Sequence, residues 1–457
     1  MVSQMRQLDF LFVYEHKVRE LENLCLLKYE LDKRGYRTEI RYIESAENEL
    51  AVKPFIYAKV LLVMACYDNH ALAWQIKNYV KFDKIIDMQW ENIVYPKDEE
   101  REGAFKNYKE IGRAVPHVSW GQQNVKRLLE AAHLDRKLVK PVGHVGMDFL
   151  RPPLCRYYLS REELFDKYNI PVGCKAIFFA SPYYGDNLPQ TYIEDMCMRF
   201  GGNWTEYYQF MCDSQKIVLK WFEDLCADEP ETHVIYRPHP GHPSLMAEEV
   251  KRRHGNFHII SGESVRQWIV TCDKIYTGNS SVIVEAFFAQ KMCQLVFPLP
   301  VTEGFELKLL SGSRRLTSYG QFRESVEMQE EEFPIPQSNI EEIYLIDWET
   351  PSHVKFADMA EEVLKDDSYR LTTKQIREVH NYSLPVRMLK AVCRIDFLYR
   401  FYLKAIDNEK LKWGFLEHQR QLRKKAVQTE KEHAHEITSI QEIERIIRRI
   451  QYAQSNS

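Results

Sequence analysis

The stretch VIYRPHPGH, residues 234–242, runs an apolar strand straight into two prolines and two histidines, and TGNSSVIVEAFFAQK, residues 277–291, answers it further on. In an open parallel sheet ligands sit at the carboxyl ends of the strands, so the loops leaving those strands are where chemistry is expected. Pro238 and Pro240 fix the backbone without donating hydrogen bonds, while Arg237 and His239 offer cationic or donor groups suited to phosphate. A tight turn with a solvent-facing histidine is the plain alternative. The second stretch alters that balance. It sets Gly278, Asn279, Ser280 and Ser281 between a strand and a helix, so the serines are expected to cap a helix whose N–H groups and positive dipole end favour an anion. Glu285 shares the helix face of Ser281 at i, i+4 spacing, placed to accept hydrogen bonds from ribose hydroxyls.

Working outward, apolar runs of strand length alternate with helical periodicity on both sides of this pair. Strands are expected at 9–15, 36–43, 59–67, 84–91 and 115–121, with helices after 15, over 70–81 and from Gln122. The segment KPVGHVGMDFLRPP at 140–153 breaks the rhythm with Gly and Pro and reads as a linker. The alternation then restarts with strands at 176–184, 233–240, 257–262, 273–278 and 293–298, and with helices around 212–227 and from Ser280. Such alternation implies parallel sheets covered by helices on both faces. The expected fold is therefore α/β, with two doubly wound, Rossmann-like domains facing across a cleft and a helical C-terminal extension. The expected boundaries are 1–148, 149–370 and 371–457.

Composition fits a large two-domain protein. The chain has 457 residues, 45% hydrophobic and 28% charged, and a net charge of −4, which gives no general attraction to nucleic acid. Ten cysteines are scattered without a C-x-x-C pair, and the N-terminus lacks a charged region followed by a long apolar run. Both features point to a reducing cytoplasm. Three N-x-S/T sequences, at Asn203, Asn279 and Asn381, would matter only after secretion.

The HP pair followed by SS and EA resembles that of bacterial GT-B glycosyltransferases using cytidine-activated donors: sialyltransferases, Kdo transferases and, more distantly, teichoic-acid glycerophosphotransferases. A narrower match comes from EHKVRELEN (15–23), VSWG (118–121) and VGHVGMDFLRP (142–152), which are similar to segments of bacterial surface carbohydrate biosynthesis proteins. The resemblance spans roughly residues 9–298. It implies a GT-B fold with an N-terminal acceptor domain and a C-terminal nucleotide-sugar donor domain, donor phosphates held by His239, Ser280 and Ser281, and no cofactor. The implied reaction moves a sugar from a nucleotide-activated, CMP-linked donor to a glycan or lipid-linked acceptor. A nucleotide-sugar epimerase of the same architecture, a glycerophosphotransferase and an inactive nucleotide-binding relative remain alternatives.

An inverting transfer needs a base for the acceptor hydroxyl. Relatives carry an acidic motif ending in glycine after the fourth strand. Here the corresponding MQWENIV (88–94) keeps one carboxylate, Glu91, the first choice. Glu15 and His16, after the first strand, compete with it, and Asp186 is third. There is no D-x-D or H-E-x-x-H, so a metal-independent enzyme is expected. HAH at 433–435 diverges on a helix and reads as solvated.

The C-terminal helices hold two further surfaces. Trp413, Phe415 and Leu416 lie among lysines and arginines within 408–432, suited either to a solvated helix or to peripheral contact with the anionic inner face of the cell membrane. Isoleucines at 437, 440, 443, 446, 447 and 450 would bury one face against the protein body or against a second subunit in a homodimer.

Overall fold

The computed structural model describes residues 5–90, 92–93, 95–96, 108–184, 186–200, 203–239, 244–328, 332–379, 384–393, 395–408 and 410–455. The chain divides into two compact units, the first gathering residues up to 92, 108–146 and 345–451, the second built mainly from 147–344. Each is a Rossmann-like α/β unit.

The first unit holds β1 (Arg6–Tyr14), β2 (Thr38–Tyr42), β3 (Ile56–Val63), β4 (Val80–Asp87), β5 (His117–Ser119) and β6 (Val139–Pro141). They form one sheet in the order β2-β1-β3-β4-β5-β6, with parallel pairings throughout. Residues 8–14 of β1 are all buried, as expected for a strand covered on both faces. The topology reverses between β1 and β3, which makes the carboxyl ends of those strands the unit's switch point.

The second unit holds β7 (Lys175–Ala180), β8 (Thr232–Arg237), β9 (Phe257–Ile259), β10 (Lys274–Thr277) and β11 (Cys293–Leu295), in the order β11-β10-β7-β8-β9 and again parallel. Helix Asn203–Asp228 lays Trp204, Tyr207, Met211, Val218, Leu219, Phe222 and Leu225 into a core shared with Phe179, Tyr236 and Phe322. Here the switch point lies between β7 and β10.

Several expectations need correction. The linker expected at 140–153 begins inside β6, an edge strand. The helix expected over 70–81 runs only over Asn69–Ile76, because Lys77 takes φ 43° and Val80 opens β4. The boundary expected at 370 moves to residue 345, where the chain rejoins the first unit through Leu345 N donating to Trp120 O at 2.6 Å. Helix Ser352–Lys365 is fixed there by Arg34, whose guanidinium meets Asp358 at 2.7 Å and Glu361 at 3.1 Å. The buried Lys84 ammonium donates to the carbonyls of Val363, Leu364 and Asp366, a cation at a helix C-terminus.

Residues 371–455 likewise belong mostly to the first unit rather than forming a separate extension. Helix Ile440–Ser455 turns Ile446 and Ile450 inward until they are buried, while Ile440 stays exposed. HAH lies past the end of helix Gly414–Glu432, not on it, and His433 Nδ1 sits 2.7 Å from Glu44 Oε2.

Candidate active site

Strand register brings the two singled-out stretches to one edge of the second sheet. Ala180, the last residue of β7, is opposite Arg237 of β8 on one side and Thr277 of β10 on the other. The loops leaving β8 and β10 thus flank the exit of β7, about two strand spacings or ~10 Å apart. This edge includes the unit's switch point. Thr277 Oγ1 donates to Ala180 O at 2.8 Å and Ser181 N to Arg237 O at 3.0 Å, which tie the three strand ends together. Burial pushes the Tyr236 hydroxyl up to about 12, so it stays protonated and donates to Ser181 Oγ at 2.9 Å.

Gly278 is a packing requirement. A Cβ there would meet Pro182 Cγ at 2.9 Å and the Val296 carbonyl at 3.3 Å. Asn279 is buried and used at both ends of its amide, donating to Phe305 O at 2.7 Å and accepting from Leu307 N at 3.0 Å. It pins the 305–307 loop beside the site. Ser280 Oγ accepts from Val282 N at 3.3 Å. Ser281 occupies the N-cap of helix Val282–Phe288 with φ −72° and ψ −8°, and its hydroxyl makes no capping bond. The expected double cap is therefore a single local turn at Ser280, with the half-buried Ser281 hydroxyl uncommitted as a cap. Among the described residues no backbone acceptor faces the Ser281 amide. The helix has only seven residues, so its dipole adds little and the local N–H and hydroxyl groups dominate.

Glu285 is paired. Its Oε1 lies 3.2 Å from Nε of Arg266, a residue of helix Val265–Thr271 that stacks its guanidinium 5.8 Å from the Phe149 ring. Ser264 caps that helix, so the cation is held in place from its own first turn. Arg237 donates one of its N–H groups to Gly262 O at 3.0 Å and is buried. His239 is half-buried with its ring edge-on to Tyr184, centroids 4.8 Å apart. Pro240 lies outside the described residues.

The candidates for the base fare differently. Glu91 lies outside the described residues, but its neighbours are firmly held: Asn92 Oδ1 accepts from Trp120 N, Asn92 Nδ2 donates to Gln89 O, and Arg127 Nη1 donates to Asn92 O at 2.8 Å. Beneath them the wholly buried Asp87 accepts from Cys66 N, Gln89 Nε2 and His117 Nδ1, the last at 2.8 Å. His117 Nε2 is 2.7 Å from Gly112 O. Asp87 Oδ2 and Gly112 O thus face the two ring nitrogens and hold the buried imidazole from both sides. Sequence reading missed this pair, and the only sign of it was a polar residue at each of two apolar strand ends.

Glu15 sits at the switch point of the first sheet, half-exposed, with the His16 ring 3.7 Å away. The C-terminal segment closes over this strand end: Tyr14 Oη donates to Glu436 O at 2.7 Å, Lys17 N donates to Glu436 Oε2 at 2.6 Å, and Lys17 Nζ meets Glu442 at 2.8 Å. Asp186 is engaged at a helix start: both its oxygens accept backbone amides, from Leu245 and Met246 at 2.9 Å each, in the first turn of helix Leu245–Arg253, whose N-cap is Ser244. Among the described residues, no group of three or more His, Cys, Asp or Glu is placed to hold a metal ion. No helix there is long and apolar enough to cross a membrane.

No protein-family model matches the chain and no curated protein sequence does. Among solved structures it is similar to wall teichoic acid polymerase TagF at 14% identity, with 82% of this chain and 90% of that one covered and a TM-score of 0.47. It is also similar to a putative UDP-N-acetylglucosamine 2-epimerase from Listeria monocytogenes, at 13% identity over 80% and 99% of the two chains with a TM-score of 0.45. A UDP-GlcNAc 2-epimerase from Neisseria meningitidis bound to UDP-GlcNAc matches at 11% identity over 79% and 100%, TM-score 0.45. Likenesses this distant leave the fold to the strand orders above and assign no reaction.

Proposed function

We propose that the chain is a metal-independent glycosyltransferase of surface polysaccharide biosynthesis, taking a sugar from a nucleotide-activated donor, CMP-linked, to a glycan or lipid-linked acceptor. One observation carries the reading: His239 and the Gly278–Ser281 loop flank the exit of β7 at the switch-point edge of one parallel sheet, where such sheets take phosphate ligands. In this reading the Ser281 hydroxyl and amide and the His239 ring bind the donor phosphates. Gly278 lets the backbone through, Asn279 and Arg237 hold the loops, and Glu285, kept in place by Arg266, accepts from the ribose. The acceptor proton goes to Glu91, with Glu15 as the competing base, while the nucleotide leaves as the phosphate-stabilised anion.

The test is thermal unfolding with CMP, CDP, UDP and GDP without magnesium, followed by product analysis of the stabilising nucleotide's sugar with and without acceptor. Stabilisation by a cytidine nucleotide and sugar transfer only when acceptor is present support the proposal. Altered sugar with donor alone would make the protein an epimerase, and binding without turnover an inactive relative.

A further inference from the structure

Three helices of the first unit, Leu384–Cys393, Asp396–Asp407 and Gly414–Glu432, pack on one another around a small core of Cys393, Tyr402, Ile406 and Leu416. The cluster is anchored to the unit's body, with Lys53 Nζ lying 4.8 Å over the Tyr399 ring. Its turn is rigid: Arg420 donates to the carbonyls of Ala405, Ile406, Asn408 and Leu411. The apolar residues of that inner face satisfy what folding requires of these helices.

A second apolar set on the same helices faces solvent. Met388 and Val392 are 62% and 46% exposed one helical turn apart, Phe397 and Phe401 are 74% and 65% exposed at the same spacing, and Ile395 and Trp413 are 58% and 69% exposed. Scattered single apolar residues on a surface need no explanation, but paired turns of Phe, Met and Val ending in a Trp do. The same three-helix segment exposes Arg400, Lys404, Lys410, Lys412, Lys424 and Lys425, of which Arg400 and Lys404 share the helical stripe of Phe397 and Phe401. Residues 384–432 carry twelve Lys or Arg against six Asp or Glu, net +6 in a chain of net −4.

We propose that this face is a docking surface for an anionic lipid bilayer, with Phe397, Phe401 and Trp413 entering the headgroup boundary and the basic residues meeting lipid phosphates. Charge complementarity selects the occupant. A symmetric pairing of two copies through these helices would set two segments of net +6 against each other, whereas an anionic membrane neutralises them. The aromatic positions move the contact from 408–432 alone to all three helices. The proposal rests on the first unit's surface only and stands whether or not the second unit transfers a sugar.

The test is co-sedimentation of the full chain with vesicles of phosphatidylcholine containing phosphatidylglycerol, against phosphatidylcholine alone. The protein should sediment only with the anionic vesicles and be released by salt. Combining Phe397→Ser with Phe401→Ser should weaken partitioning by about tenfold or more, and Arg400→Glu with Lys404→Glu should act comparably. Both double variants should keep the wild-type melting temperature. In the unaltered protein, brominated lipid should quench the share of emission lost in Trp413→Phe. Failure of the wild type to sediment, equal binding to neutral vesicles, unquenched Trp413, or phenylalanine variants that bind like wild type would overturn the proposal. So would a dimer in solution that the phenylalanine changes dissolve.

Discussion

Ser281 and Asn279 stand two residues apart in one loop, and the structure predicts opposite consequences for losing them. Ser281→Ala removes a hydroxyl that caps nothing, so stability should stay within about 0.5 kcal/mol of wild type, as for surface substitutions in general. If that hydroxyl meets a donor phosphate, one hydrogen bond to a charged group disappears, about 1.5–3 kcal/mol or roughly 10–150-fold in nucleotide affinity. Asn279→Ala removes the bonds to Phe305 O at 2.7 Å and from Leu307 N at 3.0 Å and strands both backbone groups in a buried setting. Taking about 1–2 kcal/mol for each, the cost is about 2–4 kcal/mol, a fall in melting temperature of roughly 5–15 °C. Calorimetry of both variants, with titration of the nucleotide that stabilises the wild type most, separates the two roles. A folded Ser281→Ala protein with unchanged affinity would return the loop to the status of a turn. An Asn279→Ala protein as stable as wild type would refute the pinning of the 305–307 loop.

Cytidine nucleotides at 100 times their dissociation constant should raise stability by about 2.7 kcal/mol without magnesium; equal shifts with GDP would remove the cytidine assignment. Glu91→Gln should lower kcat about 10²–10⁴-fold with donor affinity unchanged, whereas inactivity of a folded Glu15→Gln beside an active Glu91→Gln would move the base to the first strand. Asp87→Asn puts a donor where the buried carboxylate oxygens meet Cys66 N, Gln89 and His117 Nδ1, and should cost about 1–3 kcal/mol in urea unfolding; a change under about 0.5 kcal/mol would refute the anchoring role of this cluster. Burial, with the His233 ring 2.8 Å away, drives His258 down to about 4 from 6.5, so its neutral form supports the fold above pH 6.5 and that support is lost as pH falls toward 4. Partly exposed as it is, it should account for on the order of 2 kcal/mol of acid sensitivity, which His258→Gln should abolish when unfolding is compared at the two pH values.

The strands were legible because buried parallel strands are nearly continuous apolar runs, and β1, β7 and β8 fall within a few residues of their expected places. Helices were harder. Gln190–Phe200 and Leu245–Arg253 escaped notice because their outer faces are polar and their inner faces narrow. The overlong helix at 70–81 hid a left-handed Lys77, a conformation that a lysine does not announce. In the site, the loops could be read because Pro, Gly, Asn and Ser act locally. The partners of those residues could not: Arg266 meets Glu285 from a neighbouring helix, and Phe305 and Leu307 reach Asn279 from a loop beyond the next strand. No periodicity links such positions. The sequence also gave no sign that the chain returns to its first unit at residue 345, since that return depends on single tethers such as Lys84 and Arg34.

That return has a consequence for biosynthesis. The first unit begins to emerge from the ribosome before the second but cannot be completed until residues 147–344 have been made, because helix Ser352–Lys365, which neutralises Arg34 and receives Lys84, follows that segment. At 5–20 residues per second, translating residues 147–344 takes roughly 10–40 s. Through that interval β1 lacks the cover of residues 436–442, while the uninterrupted 147–344 segment can already close its own sheet. The nascent chain should therefore gain protease resistance in its middle before its start, reversing the N-terminal-first order usual for two-domain proteins.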